Sequence, residues 1–350
     1  MNKTNERFHN LLALFDTLRL EGSITQAELK DRMQLQASTV SYLVNDLRHK
    51  GLVVNSKKNI QSVKVGKPGQ LLELDNEYAY FLGLYLEETF IDAHIIGIAD
   101  VEIFSQRIPL EEGSPSELPN QIIKIIENLR SLYGNIRGVG IAVKSVVDRK
   151  GNISSFKRTY MATEGPRVWS IEGFSTIIRN AFEDLLIVIE NDANCAATYC
   201  QAITKHIHGN FMTVLVNNNP FGIGCGLVVN DKLFRGGNGA AGEIFFTDRT
   251  IQNLIEQQKN GHAPTEIIRL LKDAIVKGIY MMDPEVVYLS GSLFSHTDDE
   301  THQEILQTFK GLPYPIHILV EAHYSLPAKG AVLLAVDEYI SDLIATMDRR

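Results

Sequence analysis

Residues 80–108 read YFLGLYLEETFIDAHIIGIADVEIFSQRI. Tyr80 to Leu86, Phe90 to Ile98 and Val101 to Ile108 are β-like runs joined by short turns, so three successive strands are predicted. A helix around Glu117 to Tyr133 and a buried strand from Ile136 to Val143 follow. Three antiparallel strands, then a helix and a strand, do not open a Rossmann unit, which alternates strand and helix from the outset. Downstream come a strand from Leu185 to Glu190, a helix from Asp192 to Ile203, and strands from Phe211 to Val216 and Ile223 to Val229. Helices around Thr250 to Gln258 and Thr265 to Met281, a strand from Val286 to Leu289 and a last helix from about Ala328 to Ile344 complete the pattern. The second half repeats the logic of the first.

Upstream of residue 80 the pattern changes. Phe8, Leu11, Leu12, Phe15 and Leu18 recur at helical spacing, predicting an amphipathic helix from about Asn5 to Leu20. Thr25-Gln26-Ala27-Glu28 has the form of a capping box and opens a short second helix that runs to about Met33. Ser38 is expected to cap a third, in which Val40, Leu43, Val44 and Leu47 share one face and Gly51 takes a left-handed helix terminus. Its outer face then carries Thr39, Ser41, Tyr42, Asn45 and Arg48. Leu52-Val53-Val54 and Gln61 to Val65 read as a hairpin around a polar tip with Lys57 and Lys58. Helix, helix, helix, hairpin is the order of a winged helix-turn-helix, whose third helix enters the major groove while the hairpin follows the backbone. The same pattern also suits a three-helix protein-interaction module. Small hydroxyl side chains at the start of the third helix favour DNA, because they bond base edges or phosphates without blocking close approach. Gly66-Lys67-Pro68-Gly69 is a connection, and the boundary is placed near Asn76.

With 350 residues, 44% of them hydrophobic and 22% charged, the chain can bury a large core and is not disordered. No apolar run approaches the ~20 residues that cross a bilayer, and the N-terminus lacks the apolar stretch of a signal peptide, so a cytoplasmic protein without membrane partners is expected. Cys195, Cys200 and Cys225 are too few and too badly spaced for a disulfide framework or a four-cysteine zinc site. The formal charge of −8 is unevenly spread: residues 1–76 hold eleven Lys/Arg against eight Asp/Glu, a net of +3, and the rest hold 23 and 34, a net of −11. A mildly basic module thus precedes an acidic body, and phosphate binding depends on such local potential.

Two further segments carry a resemblance. Glu190-Asn191-Asp192-Ala193-Asn194 stands at a strand-to-helix transition, and Phe234-Arg235-Gly236-Gly237-Asn238-Gly239-Ala240-Ala241-Gly242-Glu243 follows about fifty positions later. Together they resemble the ROK family, whose members are bacterial sugar kinases and sugar-responsive transcriptional repressors. The winged helix-turn-helix is similar to that of the repressor branch, and Pro327 to Ala335 resembles the family's closing helix. The resemblance implies an α/β chain in which the helix-turn-helix of residues 1–76 precedes an actin-like body, 77–350, with two lobes of the ribonuclease H type. Lobe 1 spans about 77–203 plus the helix 328–345, and lobe 2 about 204–327. It also implies that Asp192 and Glu243 accept hydrogen bonds from sugar hydroxyls, while Asn191 both donates and accepts. In the family's kinases the aspartate at the place of Asp192 is the general base. The alternative for Asn191 and Asp192 is simple helix capping.

The chain departs from the kinase pattern. Where the kinases carry Asp-x-Gly-Gly-Thr, it has Tyr85-Leu86-Glu87-Glu88-Thr89, with carboxylates in place of phosphate-cradling glycines. Like charges at ~4 Å repel by about 4 kcal/mol at an effective dielectric of 20, so Glu87 and Glu88 would oppose ATP if they faced the cleft. Where they carry Gly-Thr-Gly-Ile-Gly, it has Pro220-Phe221-Gly222-Ile223-Gly224, losing a backbone donor to proline. Phe246 replaces a sugar-contacting histidine, and no cysteine beyond Cys225 is left for the family's structural zinc. Lys144 reads as a surface lysine or as a cation near the cleft, and Trp169 as a packing residue or a stacking platform for a sugar ring.

The expectation is a non-enzymatic repressor, a homodimer or homotetramer needing no cofactor or metal, that binds double-stranded operator DNA and responds to a sugar or sugar derivative. Ser38, Thr39, Ser41, Tyr42 and Arg48 are the expected DNA contacts, with Lys57, Lys58, Lys64 and Lys67 on phosphates. An ATP-dependent kinase for a hexose or amino sugar is the alternative.

Overall fold

The computed structural model describes residues 3–57, 70–87, 89–111, 115–153, 173–218, 221–245, 263–318 and 326–347. The chain opens with α1 (Lys3–Glu21), β1 (Ile24–Thr25), α2 (Gln26–Met33), α3 (Ala37–His49), β2 (Val53–Asn55) and β3 (Leu71–Leu74). The capping box forms as expected. The Glu28 N–H donates to Thr25 Oγ1 at 3.2 Å, and the Thr25 N–H donates to Glu28 Oε2 at 2.9 Å. One expectation is corrected. The N-cap of α3 is Gln36 rather than Ser38, because the first helical bond runs from the Val40 N–H to Gln36 O. The described partner of β2 is β3, antiparallel with Val53 opposite Leu74, since alternation at Leu71–Leu74 buries Leu72 and Leu74 in the same core. The expected hairpin arm Gln61–Val65, with Lys58, Lys64 and Lys67, lies outside the described residues. Gly51 takes the left-handed conformation (φ 77°) that ends α3.

Two sheets of one design follow. The first is built from β4 (Tyr80–Leu86), β5 (Phe90–Gly97), β6 (Glu102–Pro109), β7 (Ile136–Val143) and β8 (Leu186–Asn191), in the order β6-β5-β4-β7-β8. The second is built from β9 (Phe211–Asn218), β10 (Phe221–Val229), β11 (Lys232–Leu233), β12 (Val286–Ser290) and β13 (Ile316–Ile318), in the order β11-β10-β9-β12-β13. In each, three antiparallel strands precede two parallel ones. Helices α4 (Leu118–Tyr133) and α5 (Phe174–Ala181) cover one face of the first sheet, while α7 (Pro264–Met282) and α8 (Asp299–Gln307) belong to the second. The helix expected at Thr250–Gln258 lies outside the described residues.

Helices α6 (Asp192–Ile203) and α9 (Leu326–Met347) join the halves. α9 lies on the first sheet so closely that a Cβ at Gly140 would stand 1.9 Å from Ala331 O, and one at Gly330 would stand 1.7 Å from Cys195 O of α6. Its far end packs against the N-terminal helices. Leu11, Leu14, Phe15 and Leu18 of α1 belong to the same buried cluster as Val336, Ile340 and Ile344 of α9. Head and body therefore share a core. No helix among the described residues is long and apolar enough to cross a membrane.

Candidate functional site

β8 runs directly into α6, so the residues at that junction point into the space between the sheets. Asn191 is the N-cap of α6, and its Oδ1 accepts the Asn194 N–H at 3.1 Å. Its amide donates to Ser145 O at 3.1 Å and to Asp192 Oδ1 at 3.2 Å. Asp192 Oδ1 also accepts the Ala193 N–H at 2.9 Å. Asn191 is thus a cap whose amide face is engaged with Asp192, and the capping role does not displace the carboxylate. A carboxylate on the first residue of a helix is further stabilised by the helix dipole. Both residues are buried. Glu190 supports the turn from beneath, accepting the Asn191 N–H at 2.8 Å and the Asn194 amide at 2.9 Å.

The second sheet reaches this turn through glycines. A Cβ at Gly226 of β10 would lie 2.3 Å from Ala193 O, and one at Gly224 would lie 3.9 Å from Asp192 Oδ1. Only bare backbone lets β10 approach α6 so closely. Glu243 lies beside the next part of the same strand. Gly242 packs on Cys225 O, and the Glu243 charge, after burial, contributes to pushing the Cys225 thiol well up. Asn191 and Asp192 are therefore in direct contact, and Glu243 stands on a separate loop at the flank of β10. That loop is fixed to the turn by Arg235, whose Nε lies 2.5 Å from Glu190 Oε2. Arg235 and Glu190 sit inside the two quoted motifs, yet their ion pair was not anticipated.

Beside this turn, Tyr85, Glu87, Lys144 and Asn217 form a further group of interacting side chains between the sheets. Tyr85 is buried, and its hydroxyl donates to Asp192 Oδ2 at 3.5 Å and accepts from the Asn217 amide at 3.1 Å. Asn217 Oδ1 in turn accepts the Ser292 N–H at 3.1 Å. Burial, then Glu87 and Asp192, pushes the Tyr85 hydroxyl well above its ordinary value, so it stays a donor. Glu87 is buried with its Oε2 2.6 Å from Lys144 Nζ. Burial raises the Glu87 carboxyl and Lys144 opposes the rise. Lys144 in turn lies 3.6 Å from where a Cβ of Gly222 would be.

This corrects two readings. Lys144 is an internal cation between the sheets, three-quarters buried, and not a surface lysine. Glu87 does face inward, and its charge is offset by the pairing to Lys144. Glu88, Trp169, Pro220 and Phe246 lie outside the described residues. Among the described residues, no group of three or more His, Cys, Asp or Glu side chains is arranged to hold a metal ion.

On the head, Ser38, Tyr42 and Arg48 are exposed, while Thr39 and Ser41 are half-buried. Arg48 Nη2 donates to Asn55 Oδ1 at 2.7 Å, tying α3 to β2. Arg7 joins three parts: it bonds Asp46 of α3 at 3.0 Å, lies 5.9 Å from the Tyr42 ring centroid, and donates to Met347 O at the end of α9 at 3.4 Å. Lys57 is exposed beyond β2.

Residues 93–248 match the ROK family profile. A xylose repressor of Staphylococcus xylosus is 27% identical over 235 residues, which make up 63% of this chain and 56% of the relative. A xylose repressor of Caldicellulosiruptor bescii is 22% identical over 312 residues, 86% of this chain and 73% of the relative. The aligned part of this chain thus spans little more than half of the first relative's length. Among solved structures, a ROK family transcriptional regulator, a homologue of the E. coli MLC protein, superposes with a TM-score of 0.69 at 14% identity, covering 97% of this chain and 99% of that one. A ROK hexokinase of Thermus thermophilus superposes with a TM-score of 0.55 at 17% identity, covering 75% of this chain and 99% of that one. At these identities the likeness establishes the fold: an α/β, actin-like body.

Proposed function

Taking as premise that this chain carries a ROK family domain, we propose that it is a sugar-responsive transcriptional repressor whose kinase-like body binds a sugar without phosphorylating it. The observation that carries this reading is the state of the cleft. Asp192, held by the Asn191 amide, offers a carboxylate suited to sugar hydroxyls, while Lys144 is paired to Glu87 and the Tyr85 hydroxyl is bonded to Asp192 and Asn217, which supports a cleft without room for nucleotide phosphates. A sugar gripped by Asp192, which Asn191 positions, on one side and Glu243 on the other would fix the distance between α6 and the 234–245 loop.

The same geometry suggests how the head learns of it. α6 begins at Asp192 and touches α9 backbone to backbone at Cys195 and Gly330. α9 ends under α1, where Arg7 links Met347 to α3. A tilt of α6 on sugar binding would thus pass through rigid helices to the surface that carries Ser38, Thr39, Ser41, Tyr42 and Arg48. In this reading α3 enters the major groove, Lys57 contacts phosphate, and a dimer places two such helices on paired half-sites. The first chemical class to test is a neutral aldopentose, since the repressors similar to this chain are named for xylose. The rival, an ATP-dependent hexose or amino sugar kinase, rests on Asp192 and on the kinases that share the fold.

A thermal-shift screen of pentoses, hexoses, amino sugars and sugar phosphates tests the reading, because a ligand of the folded state raises Tm. We expect a neutral sugar to raise Tm without ATP, and the shift to vanish in Asp192→Asn. ATP-dependent phosphorylation of any sugar, lost in Asp192→Asn, would overturn it.

A further inference from the structure

A cavity of about 540 Å³ opens beside β8, the edge strand of the first sheet. It is lined by residues 187–190 of that strand, by the turn 148–151 that follows β7, by Arg179 of α5, by residues 233–236 and by Glu338 of α9. Asn191, Asp192 and Glu243 take no part in it. What it shares with the cleft is the Arg235–Glu190 pair, since Glu190 also accepts the Asn191 N–H.

Four cations line this cavity, Arg149, Lys150, Arg179 and Arg235, against three carboxylates, Asp148, Glu190 and Glu338. That excess runs against a body that carries 34 Asp/Glu to 23 Lys/Arg. Glu190 is already matched by Arg235. Asp148 accepts the Lys150 and Asn152 N–H groups at 2.8 and 2.9 Å, and these bonds, that of Asn152 first, hold its carboxyl below the usual value. Arg149 and Arg179 meet only neutral oxygens among the described residues. Arg149 donates from Nε and Nη2 to Gly236 O at 3.1 and 2.9 Å. Arg179 Nη2 donates to Lys150 O and Gly151 O at 3.1 Å each, and its Nη1 to Asn152 Oδ1 at 3.5 Å. Both guanidiniums therefore converge on one turn: Arg149 grows from it, and Arg179 grips its backbone.

A guanidinium pinned by carbonyls keeps its charge, and its planar fork suits phosphate oxygens. Arg149, Arg179 and Lys150 form no salt bridge among the described residues, so three cations stand ready, one for each terminal oxygen of a phosphate monoester. A carboxylate has only two oxygens to offer them. The volume lies in the range of small-molecule pockets and leaves space beyond a phosphate. There Phe234, 47% exposed, presents an apolar face, and Glu338 can accept from hydroxyl groups. We propose that this cavity binds a phosphate group, free or borne by a small hydroxylated molecule, through Arg149, Lys150 and Arg179. The site is independent of whether the cleft binds a sugar.

The test is calorimetric titration of the full chain with inorganic phosphate, glycerol 3-phosphate and, as the uncharged control, glycerol. A phosphate-bearing probe should bind with a dissociation constant of about 1 mM or tighter, and glycerol should give no heat. Tighter binding of glycerol 3-phosphate than of inorganic phosphate assigns the site to an organic monoester, and the reverse assigns it to free phosphate. Arg149→Gln and Arg179→Gln should each weaken binding about tenfold or more. Lys150→Gln removes a charge whose side chain forms no hydrogen bond among the described residues, so it keeps the test open if an arginine variant fails to fold. It should weaken binding about threefold. Asp192→Asn should bind phosphate as the unsubstituted chain does, which separates this site from the sugar cleft. No binding of either phosphate probe, an affinity unchanged in Lys150→Gln and in the folded arginine variants, or binding lost in Asp192→Asn would overturn the proposal.

Discussion

Lys144 Nζ lies 2.6 Å from Glu87 Oε2, and the two residues directly follow the neighbouring strands β7 and β4 of the first sheet, 57 positions apart. In the proposed reading, the pair takes the place that a sugar kinase would keep open for phosphate. Asp192 is buried close by and is bonded by the Tyr85 hydroxyl. Four predictions follow from this site and from the head it is joined to.

Lys144→Met should leave Glu87 buried without its cation. Removing one partner of a buried pair costs about 3–5 kcal/mol, and the quarter exposure of Lys144 places this variant at the lower end. The pH dependence has a definite sign. The Glu87 carboxyl is already raised by burial, so its contribution to stability falls as pH rises above 4.5 through the folded value. Without Lys144 that fall should be steeper and extend to higher pH. Urea denaturation from pH 4.5 to 8 measures both effects.

Asp192→Asn and Glu243→Gln should each weaken sugar binding about ten- to a hundredfold, because a hydrogen bond to a charged acceptor contributes about 1.5–3 kcal/mol. Operator affinity without sugar should change less than twofold. Calorimetric titration of the sugar and fluorescence anisotropy with labelled operator give the two numbers. Unchanged sugar affinity in both variants would remove these residues from the site.

Gly226→Ala should act at a distance from any ligand contact. The added Cβ would meet Ala193 O at 2.3 Å, so β10 and the start of α6 must separate. Overpacking of this kind costs about 1–3 kcal/mol. The variant should melt lower and lose the thermal shift given by sugar, although Gly226 has no side chain to offer a hydroxyl. A normal shift would mean that the spacing of β10 and α6 does not shape the pocket.

Lys57→Ala should lower operator affinity almost equally across sequences and reduce the salt slope by about 0.9, the value of one phosphate contact. Arg48→Ala should instead relax sequence preference, because Arg48 is on the outer face of α3. It should also loosen β2 through loss of the Asn55 bond. Binding isotherms at several salt concentrations on matched and mismatched duplexes separate the two. An identical salt slope in Lys57→Ala would place Lys57 off the backbone.

The strands of both sheets were legible because long apolar runs bounded by turns have few other readings. Tyr80–Leu86 and Ile136–Val143 are found at the predicted limits. Short elements were not. α5 and α8 bury only a few side chains each, and β11 and β13 are two and three residues long, too short for periodicity to register. The Ser38 hydroxyl suits a cap, but the backbone begins its helical bonding at Gln36, which provides no side-chain cap. At the site, Asn191 and Asp192 were visible as a motif. Lys144, Asn217 and Arg235 owe their roles to partners 45 to 132 positions away, Glu87, Tyr85 and Glu190, and no local pattern encodes such pairings.

The measurement that bears most directly on the whole account is an operator-binding titration with xylose and related neutral sugars, run with and without ATP and magnesium, with sugar phosphate assayed in the same samples. A sugar should change operator affinity at least about tenfold, the effect of ~1.4 kcal/mol of coupling, equally with and without ATP and with no phosphorylated product. A response that appears only with ATP, together with a sugar phosphate whose formation is lost in Asp192→Asn, would contradict it.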